Sequence, residues 1–302
     1  MTERAASPEA NPNRGLGPLR QLQGIWVGHG FNIISLPVRN GATPPDHPPF
    51  LVKLNATIEE LHFSLISSAE IPNRGFVQPD LNFLGLRYTS KVVDRNGEGG
   101  IHFEQGLWLF APDPNVQPSL YRLASIPHGS TFLAANTEPV SAEPEPVTGG
   151  VLNFPVADPR PFPTNQPGNR ITAPDYLDRF FQATVPNGLD PHTPPGPANP
   201  PGVINGAIGN PNLVLAEANA AHPITNTTTF TVSSDAENLR SIPFLSSNAK
   251  ATSMTATFWI SEFRGLFGIP ILKLQYSQTV ILNFDNTDWP HISVASLIMP
   301  FG

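Results

Sequence analysis

The chain has 302 residues, 36 prolines, no cysteine and a formal net charge of −7. The lack of cysteine excludes disulfides, thiolate haem ligation and cysteine zinc sites. The acidic balance argues against nucleic acid and anionic membrane surfaces as partners. The many prolines argue against a mainly helical fold, because proline removes a backbone donor and clashes with the preceding turn.

The N-terminal segment is polar and has no apolar stretch typical of a signal peptide. We expect residues 1–18 to form a disordered arm. No apolar run approaches the roughly 18 residues that a membrane span needs. The sequence therefore predicts a soluble, cytoplasmic protein.

Strand-like runs follow, separated by turn signals rich in Gly, Pro and Asn. The first half of the chain predicts strands over 24–36, 50–58, 60–67, 81–94, 101–111, 120–126 and 130–135. Asn96-Gly97 between two apolar runs is the strongest hairpin signal. Between residues 51 and 66 the apolar parity changes, which predicts a bulge or a short turn at Glu59-Glu60.

The middle of the chain has a different composition. Prolines are dense over 138–202 and no apolar period persists, which indicates a long, partly extended segment. Within it, Asp175–Phe181 is compatible with one or two helical turns. Residues 210–222 suit a short helix with Asn210 as its cap. We therefore expect an insertion over 138–225 inside a single domain of residues 19–302.

Strands resume at 226–233, 251–263, 270–284 and 291–299. In the run 270–284 apolar and polar residues alternate, which indicates a sheet with one apolar and one wet side. About ten strands with mostly short links favour an all-β fold, an antiparallel up-and-down barrel. Such a barrel has room for one small ligand. A β-sandwich is the competing arrangement, and the sequence does not choose between the two.

The two ends of the chain resemble those of a known family. Gly24-Ile25-Trp26-Val27-Gly28-His29-Gly30 resembles the Gly-x-Trp-x-Gly-x-Gly opening strand of nitrobindin-like, fatty-acid-binding-protein-like haem barrels of the calycin type. The ending Pro290-His291-Ile292-Ser293-Val294-Ala295-Ser296-Leu297 is similar to the family's closing His-Leu-x-Ala-x-Leu pattern. The chain departs from the family at Asn32, where a further glycine is expected, and in its greater length.

The resemblance implies a ten-stranded barrel, one haem b and chemistry with nitrogen oxides, including peroxynitrite isomerisation. It implies that His291 is the proximal iron ligand and that Trp26 packs at the barrel floor. In a regular strand Ser293 and Ala295 share the parity of His291. Their small side chains either leave room beside His291 for a flat macrocycle or merely fit a crowded barrel floor.

Other histidines have two interpretations each. His128, between Pro127 and Gly129, is expected at a bend, either as a proton donor on the distal side of the cavity or simply exposed. His102 and Glu104 share a strand face suited to metal binding or proton relay, although a solvated face explains the pair more simply. We expect His29 and His62 to face solvent.

Three functions remain as hypotheses. The first is a haem protein, in the manner of a peroxynitrite isomerase, that binds or converts a nitrogen oxide, peroxynitrite or a peroxide-like ligand. The second is a metal-free carrier or sensor of an apolar small molecule. The third is a structural or interaction protein that docks a partner, or a second copy of itself, through the Pro-rich block. The usual nucleotide, phosphate, zinc-protease and serine-hydrolase motifs are missing from the sequence.

Overall fold

The computed structural model describes residues 15–37, 50–67, 70–77, 79–95, 97, 99–164, 207–247, 249–284 and 286–300. In this part of the chain, strands dominate. They are β1 (Gly24–Pro37), β2 (Phe50–Leu65), β3 (Ile71–Asn73), β4 (Leu81–Asp94), β5 (Gly100–Phe110), β6 (Leu120–Ser125), β7 (Ser130–Asn136), β8 (Glu145–Pro146), β9 (Phe162–Pro163), β10 (Ile224–Asp235), β11 (Leu239–Ser241), β12 (Lys250–Arg264), β13 (Pro270–Phe284) and β14 (Thr287–Ile298). Two short helices are α1 (Leu213–Glu217) and α2 (Pro243–Ser246).

Ten of these strands close into an antiparallel barrel. Their order is β7-β6-β5-β4-β2-β1-β14-β13-β12-β10, and β10 returns to β7. The opening strand β1 pairs with β2 along its whole length and with β14 from Val27 to Ile34. The predicted all-β barrel is therefore confirmed and the sandwich is excluded. The hairpin signal at residues 96–97 is confirmed as well, since it joins the paired strands β4 and β5.

The bulge predicted at Glu59-Glu60 is wrong, because β2 pairs with β1 and β4 there without a register shift. The apolar parity changes because different partners cover the two faces of β2. Leu54 packs against a cluster outside the barrel, whereas Leu61 and Phe63 belong to the barrel core. Glu59 also faces inward and is only 2% exposed.

The described parts of the predicted insertion pack on the outside of the barrel. β8 pairs with β10, β9 pairs with β14, and α1 contacts β14. They form a second apolar cluster with outward-facing barrel residues, which contains Phe31, Ile33, Ala157, Ala207, Ile208, Val214, Leu215, Trp259, Trp289, Ile292 and Val294. Residues 165–206, with the helical turn predicted at Asp175–Phe181, lie outside the described residues.

The helix predicted over 210–222 is much shorter, since α1 covers only Leu213–Glu217 and its cap position is Asn212. Asn210 is not the cap residue as predicted, because the helix begins two residues later, after Asn212. The side-chain oxygen of Asn210 accepts hydrogen bonds from the backbone N–H groups of Ala157 at 3.0 Å and Asn212 at 3.3 Å. The insertion residues that pack on the outside of the barrel form an outer layer. The Asn210 amide links the part of this layer before residue 165 to the part after residue 206.

The face of β13 predicted to be wet is partly covered by this outer layer. Lys273 and Gln275 are buried. Lys273 Nζ donates to the backbone oxygen of Ala218 at 2.6 Å, and Gln275 Nε2 donates to that of Leu215 at 3.0 Å. Burial lowers the pKa of Lys273 to about 8. Polar side chains on this face therefore anchor the outer layer to the barrel.

A 3₁₀ turn at Gly17–Gln21 closes the barrel end at which β1 begins. Leu16, Leu19 and Leu22 have no exposed surface and belong to the barrel core. The predicted arm over 1–18 therefore extends too far, because its last residues are packed. Residues 1–14 lie outside the described residues. No helix of the described part is long and apolar enough to cross a membrane.

Replacing Leu19 by Ala is expected to lower the free energy of unfolding by about 2–5 kcal/mol, because the substitution leaves a cavity in a closed core. Urea denaturation followed by tryptophan fluorescence measures the loss. Ile25→Ala on β1 is the matched control, since Ile25 is 46% exposed. Equal effects of the two substitutions would mean that the turn contributes nothing to the core.

Candidate ligand-binding cavity

The barrel encloses a cavity of about 370 Å³. This volume lies within the range of about 300–1,000 Å³ that is typical of small-molecule pockets. Apolar side chains form much of its wall, among them Phe63, Val92, Trp108, Met254, Phe258, Val280 and Leu282. A smaller set of polar side chains converges on the same space, which is the usual composition of a specific binding site.

Three histidines line the cavity at the end opposite the N-terminal turn. His291 lies near the start of β14, His102 near the start of β5, and His128 in the turn between β6 and β7. β6 and β14 are five strands apart in either direction around the barrel. His291 and His128 therefore lie on opposite walls of the partly exposed mouth.

Only some of the residues predicted to bind a cofactor reach the cavity. His291 and Ser293 line it, whereas Trp26 and Ala295 lie in the surrounding core. The Trp26 indole N–H donates to the Leu22 backbone oxygen at 2.7 Å, beside the N-terminal turn. His29, predicted to face solvent, is exposed on β1.

The residues next to His291 change from apolar to polar with depth. Its direct neighbours across the strands are Ile34 on β1 and Val280 on β13, and both line the cavity. One row deeper, Asn32 Nδ2 donates to Ser293 Oγ at 2.6 Å. Asn32 thus places an amide where the resemblance leads us to expect glycine.

A buried ion pair lies at the centre of the barrel. Arg122 Nη2 donates to Glu104 Oε1 at 2.7 Å, and the two side chains are 7% and 1% exposed. Arg122 also donates from Nε to the Tyr88 hydroxyl at 2.9 Å and from Nη1 to Gln278 Oε1 at 2.8 Å. The Tyr88 hydroxyl in turn donates to Glu104. The guanidinium is therefore bound from three directions.

The protonation states in this network follow from its contacts. Desolvation raises the pKa of Glu104, but the Arg122 charge and the hydrogen bonds from His102 and Tyr88 outweigh it and hold the pKa at about 2. Desolvation disfavours the charged form of Arg122, and Glu104 more than offsets this and raises the pKa of Arg122. Both groups are therefore ionised at neutral pH.

Aromatic rings enclose the Arg122 charge. The guanidinium carbon lies 5.2–5.6 Å from the ring centres of four side chains, which are Tyr88, Trp108, Phe132 and Phe258. At this distance a ring face attracts a cation, and the attraction is larger where water is excluded. The rings thus offset part of the cost of burying the charge.

The solvated-face interpretation of His102 and Glu104 is wrong, because Glu104 is only 1% exposed and lines the cavity. His102 Nε2 lies 3.1 Å from Glu104 Oε2. Trp108 on the same strand shares the parity of this pair, and a strand face that carries a tryptophan is typical of a core. That signal was available in the sequence.

His128 lies close to His102, with the ring centres 5.2 Å apart in an edge-on contact. Burial and the nearby His102 lower the pKa of His128. His128, which the sequence predicted to be catalytic, therefore contacts the imidazole of His102, and His102 in turn contacts the Glu104 carboxylate. Such a chain of groups can move a proton between the mouth and the buried network.

Glu59 is a second buried carboxyl group on the cavity wall. It accepts hydrogen bonds from the Tyr276 hydroxyl at 2.6 Å and from the Thr57 hydroxyl at 2.7 Å. Desolvation raises the pKa of Glu59 in spite of these bonds. Sequence reasoning missed this residue, although the parity change assigned to a bulge marks its position.

Glycine at position 30 gives the Glu59 carboxyl group its space. A Cβ atom at Gly30 would lie 2.3 Å from Glu59 Oε1 and 2.5 Å from Thr57 Oγ1. The last glycine of the opening motif therefore serves the polar site inside the barrel.

Among known proteins, similarity to this chain is found with solved structures. No family model and no curated protein matches the chain. The crystal structure of Rv2717c from M. tuberculosis is similar over 97% of this chain and 99% of its own, with 13% sequence identity and a TM-score of 0.41.

Replacing Glu104 by Gln is expected to lower the free energy of unfolding by about 3–5 kcal/mol near pH 7, because Arg122 stays buried without its counter-charge. The folded-state pKa of Glu104, about 2, lies below the unfolded value of 4.5. The stabilisation is therefore complete above pH 4.5 and is lost as the pH falls towards 2.

Urea denaturation of both proteins between pH 7 and pH 2 checks this dependence. Glu60→Gln on the exposed face of β2 is the control and is expected to change little. A Glu104→Gln deficit that stays constant across the whole range would contradict the assigned ion pair.

Proposed function

We propose that the cavity mouth binds haem b through His291, and that the protein binds or converts a nitrogen oxide, peroxynitrite or a peroxide-like ligand there. The main support is the position of His291 on the inner face of β14, at the partly exposed end of the cavity. A neutral imidazole in such a place is a common iron ligand.

The residues present fit this group. Ile34, Val280 and Leu282 give the mouth apolar side chains against which a macrocycle would be buried. Ser293, the next inward-facing residue of β14, is small. The sequence motifs that resemble nitrobindin-like barrels also lie side by side, because β1 and β14 pair residue by residue from Val27 to Ile34.

Haem held by one histidine would supply an iron that can bind or activate a small ligand. The protein's own residues would hold and orient the reactants. His291 would bind the iron, while His128 and His102 on the opposite wall would accept or donate a proton. Glu104 would keep His102 in one orientation through its hydrogen bond at 3.1 Å.

Haemin reconstitution tests this proposal. The wild-type protein is expected to give a Soret band that His291→Ala shifts or abolishes, because the iron loses its protein ligand. His62→Ala on the exposed face of β2 is the control and should leave the spectrum unchanged. An unchanged Soret band in His291→Ala removes His291 from the site. For the isomerase function, loaded wild-type protein should accelerate peroxynitrite decay.

A metal-free carrier or sensor of an apolar small molecule is the second candidate. The observation that favours it is that the buried Arg122 has its hydrogen-bond partners within the protein, which are Glu104, Tyr88 and Gln278. The third hypothesis, docking through the Pro-rich block, stays a prediction. The described parts of that block pack on the barrel's own outer face.

Native mass spectrometry of the full-length protein from its natural host separates the first two candidates. A carrier is expected to retain an organic ligand of defined mass without iron, because the closed barrel slows its release. A haem mass favours the first candidate, and protein that carries no ligand contradicts the carrier.

A further inference from the structure

Apart from histidines, the described residues of the cavity wall include one cationic and two carboxylic side chains, which are Arg122, Glu104 and Glu59. Arg122 and Glu104 neutralise each other at 2.7 Å. Among the described residues, Glu59 has no cationic side chain as a direct partner, since its two bonds come from the hydroxyls of Tyr276 and Thr57. The cavity thus has one carboxyl group in excess.

The Glu59 carboxyl group has bonding capacity left. Each of its oxygens accepts one hydrogen bond, whereas an ionised carboxylate offers about four acceptor positions. The neutral acid would instead carry an O–H that needs an acceptor. Buried polar groups with unmet capacity are costly. A ligand that completes Glu59 therefore gains free energy that it would not gain at an exposed carboxylate.

The fold holds this carboxyl group in a defined place. Glu59 projects from β2 across two strands to Tyr276 on β13. The intervening residues in the row from Tyr276 to Thr57 are Ala295 on β14 and Gly30 on β1. Both are small, so the carboxyl group lies over them. Ala295, which the sequence motif linked to a cofactor, therefore lies beneath the Glu59 carboxyl group.

Aromatic rings face the same part of the cavity. Phe63 and Tyr88 stack with ring centres 5.8 Å apart, and Phe258 and Tyr276 lie at the same separation. Ring faces attract an organic cation and pack against its apolar body. The described residues contain no group of three His, Cys, Asp or Glu side chains suited to a metal ion. An organic cation therefore suits Glu59 better than a metal ion does.

We propose that the deep end of the cavity binds a small primary amine, with its ammonium group against Glu59 and its apolar body between the aromatic side chains. This site goes beyond the haem proposed at the mouth and does not depend on it. Burial raises the pKa of Glu59, so an ammonium ligand would favour the carboxylate form that burial disfavours. The His102 side chain also lowers the pKa of Glu59, against the effect of burial.

Calorimetric titration of the full-length protein near pH 7 tests the proposal with three probes of similar size. 2-Phenylethylamine is expected to bind at least about tenfold more tightly than 2-phenylethanol or phenylacetate, because only its ammonium group places a positive charge against the Glu59 carboxylate. Equal affinity for the three probes, or no amine binding at millimolar concentrations, overturns the proposal. This series needs no variant, so it decides the matter even if a substitution at position 59 prevents folding.

Variants then locate the amine. Glu59→Gln keeps the size of the side chain but removes its charge, and it should weaken amine binding about tenfold or more. Glu60→Gln, one residue further on the exposed face of the same strand, should bind the amine like the wild type. Undiminished amine affinity in folded Glu59→Gln overturns the assignment. His291→Ala should also retain amine binding, so that failure of the haem proposal and failure of this one are separate results.

Discussion

The buried ion pair between Arg122 and Glu104 is the interaction on which the interior of this barrel depends. Two charges inside a protein are tolerated only when their attraction and hydrogen bonds offset the loss of hydration. Here Tyr88, Gln278 and a set of aromatic rings complete the pair. Because the pair needs this polar and aromatic surrounding, the barrel interior is not filled by aliphatic side chains alone. The same pair also holds His102, since the second oxygen of Glu104 contacts its ring.

The outer layer supports the strands that carry the mouth histidine. Residues from both described parts of the insertion cover the outward faces of β1, β12 and β14. Lys273 and Gln275 fasten the layer to β13 through backbone oxygens at the end of α1. His291 lies on the inner face of β14, directly behind this covered surface. The described parts of the insertion therefore act as part of the barrel wall.

The cavity combines two chemical environments along its depth. Imidazoles on opposite walls and apolar neighbours mark the mouth, where a metal-bearing group is proposed. Carboxyl groups, a guanidinium and aromatic rings mark the deep end, where an organic cation is proposed. This division follows from the strand register. Inward-facing residues that pair across neighbouring strands form one row, and successive rows lie at successive depths in the cavity. In the row that contains Gly30 and Ala295, two small residues leave the space that Glu59 and Tyr276 use.

Alternation and turn signals in the sequence were enough to predict most of the strands and an all-β antiparallel fold of about ten strands, but the choice between a barrel and a sandwich came from the structure. These signals are local, because the parity of neighbouring side chains in a strand depends only on the backbone. Parity also indicated that His291 and Ser293 share a face. It could not tell what covers each face. Glu59 meets Tyr276 across 217 positions of the chain, and Arg122 meets Gln278 across 156. Only the closed barrel brings such residues together, and for this reason the tertiary structure alone decided which partners Glu59 and Arg122 have inside the cavity.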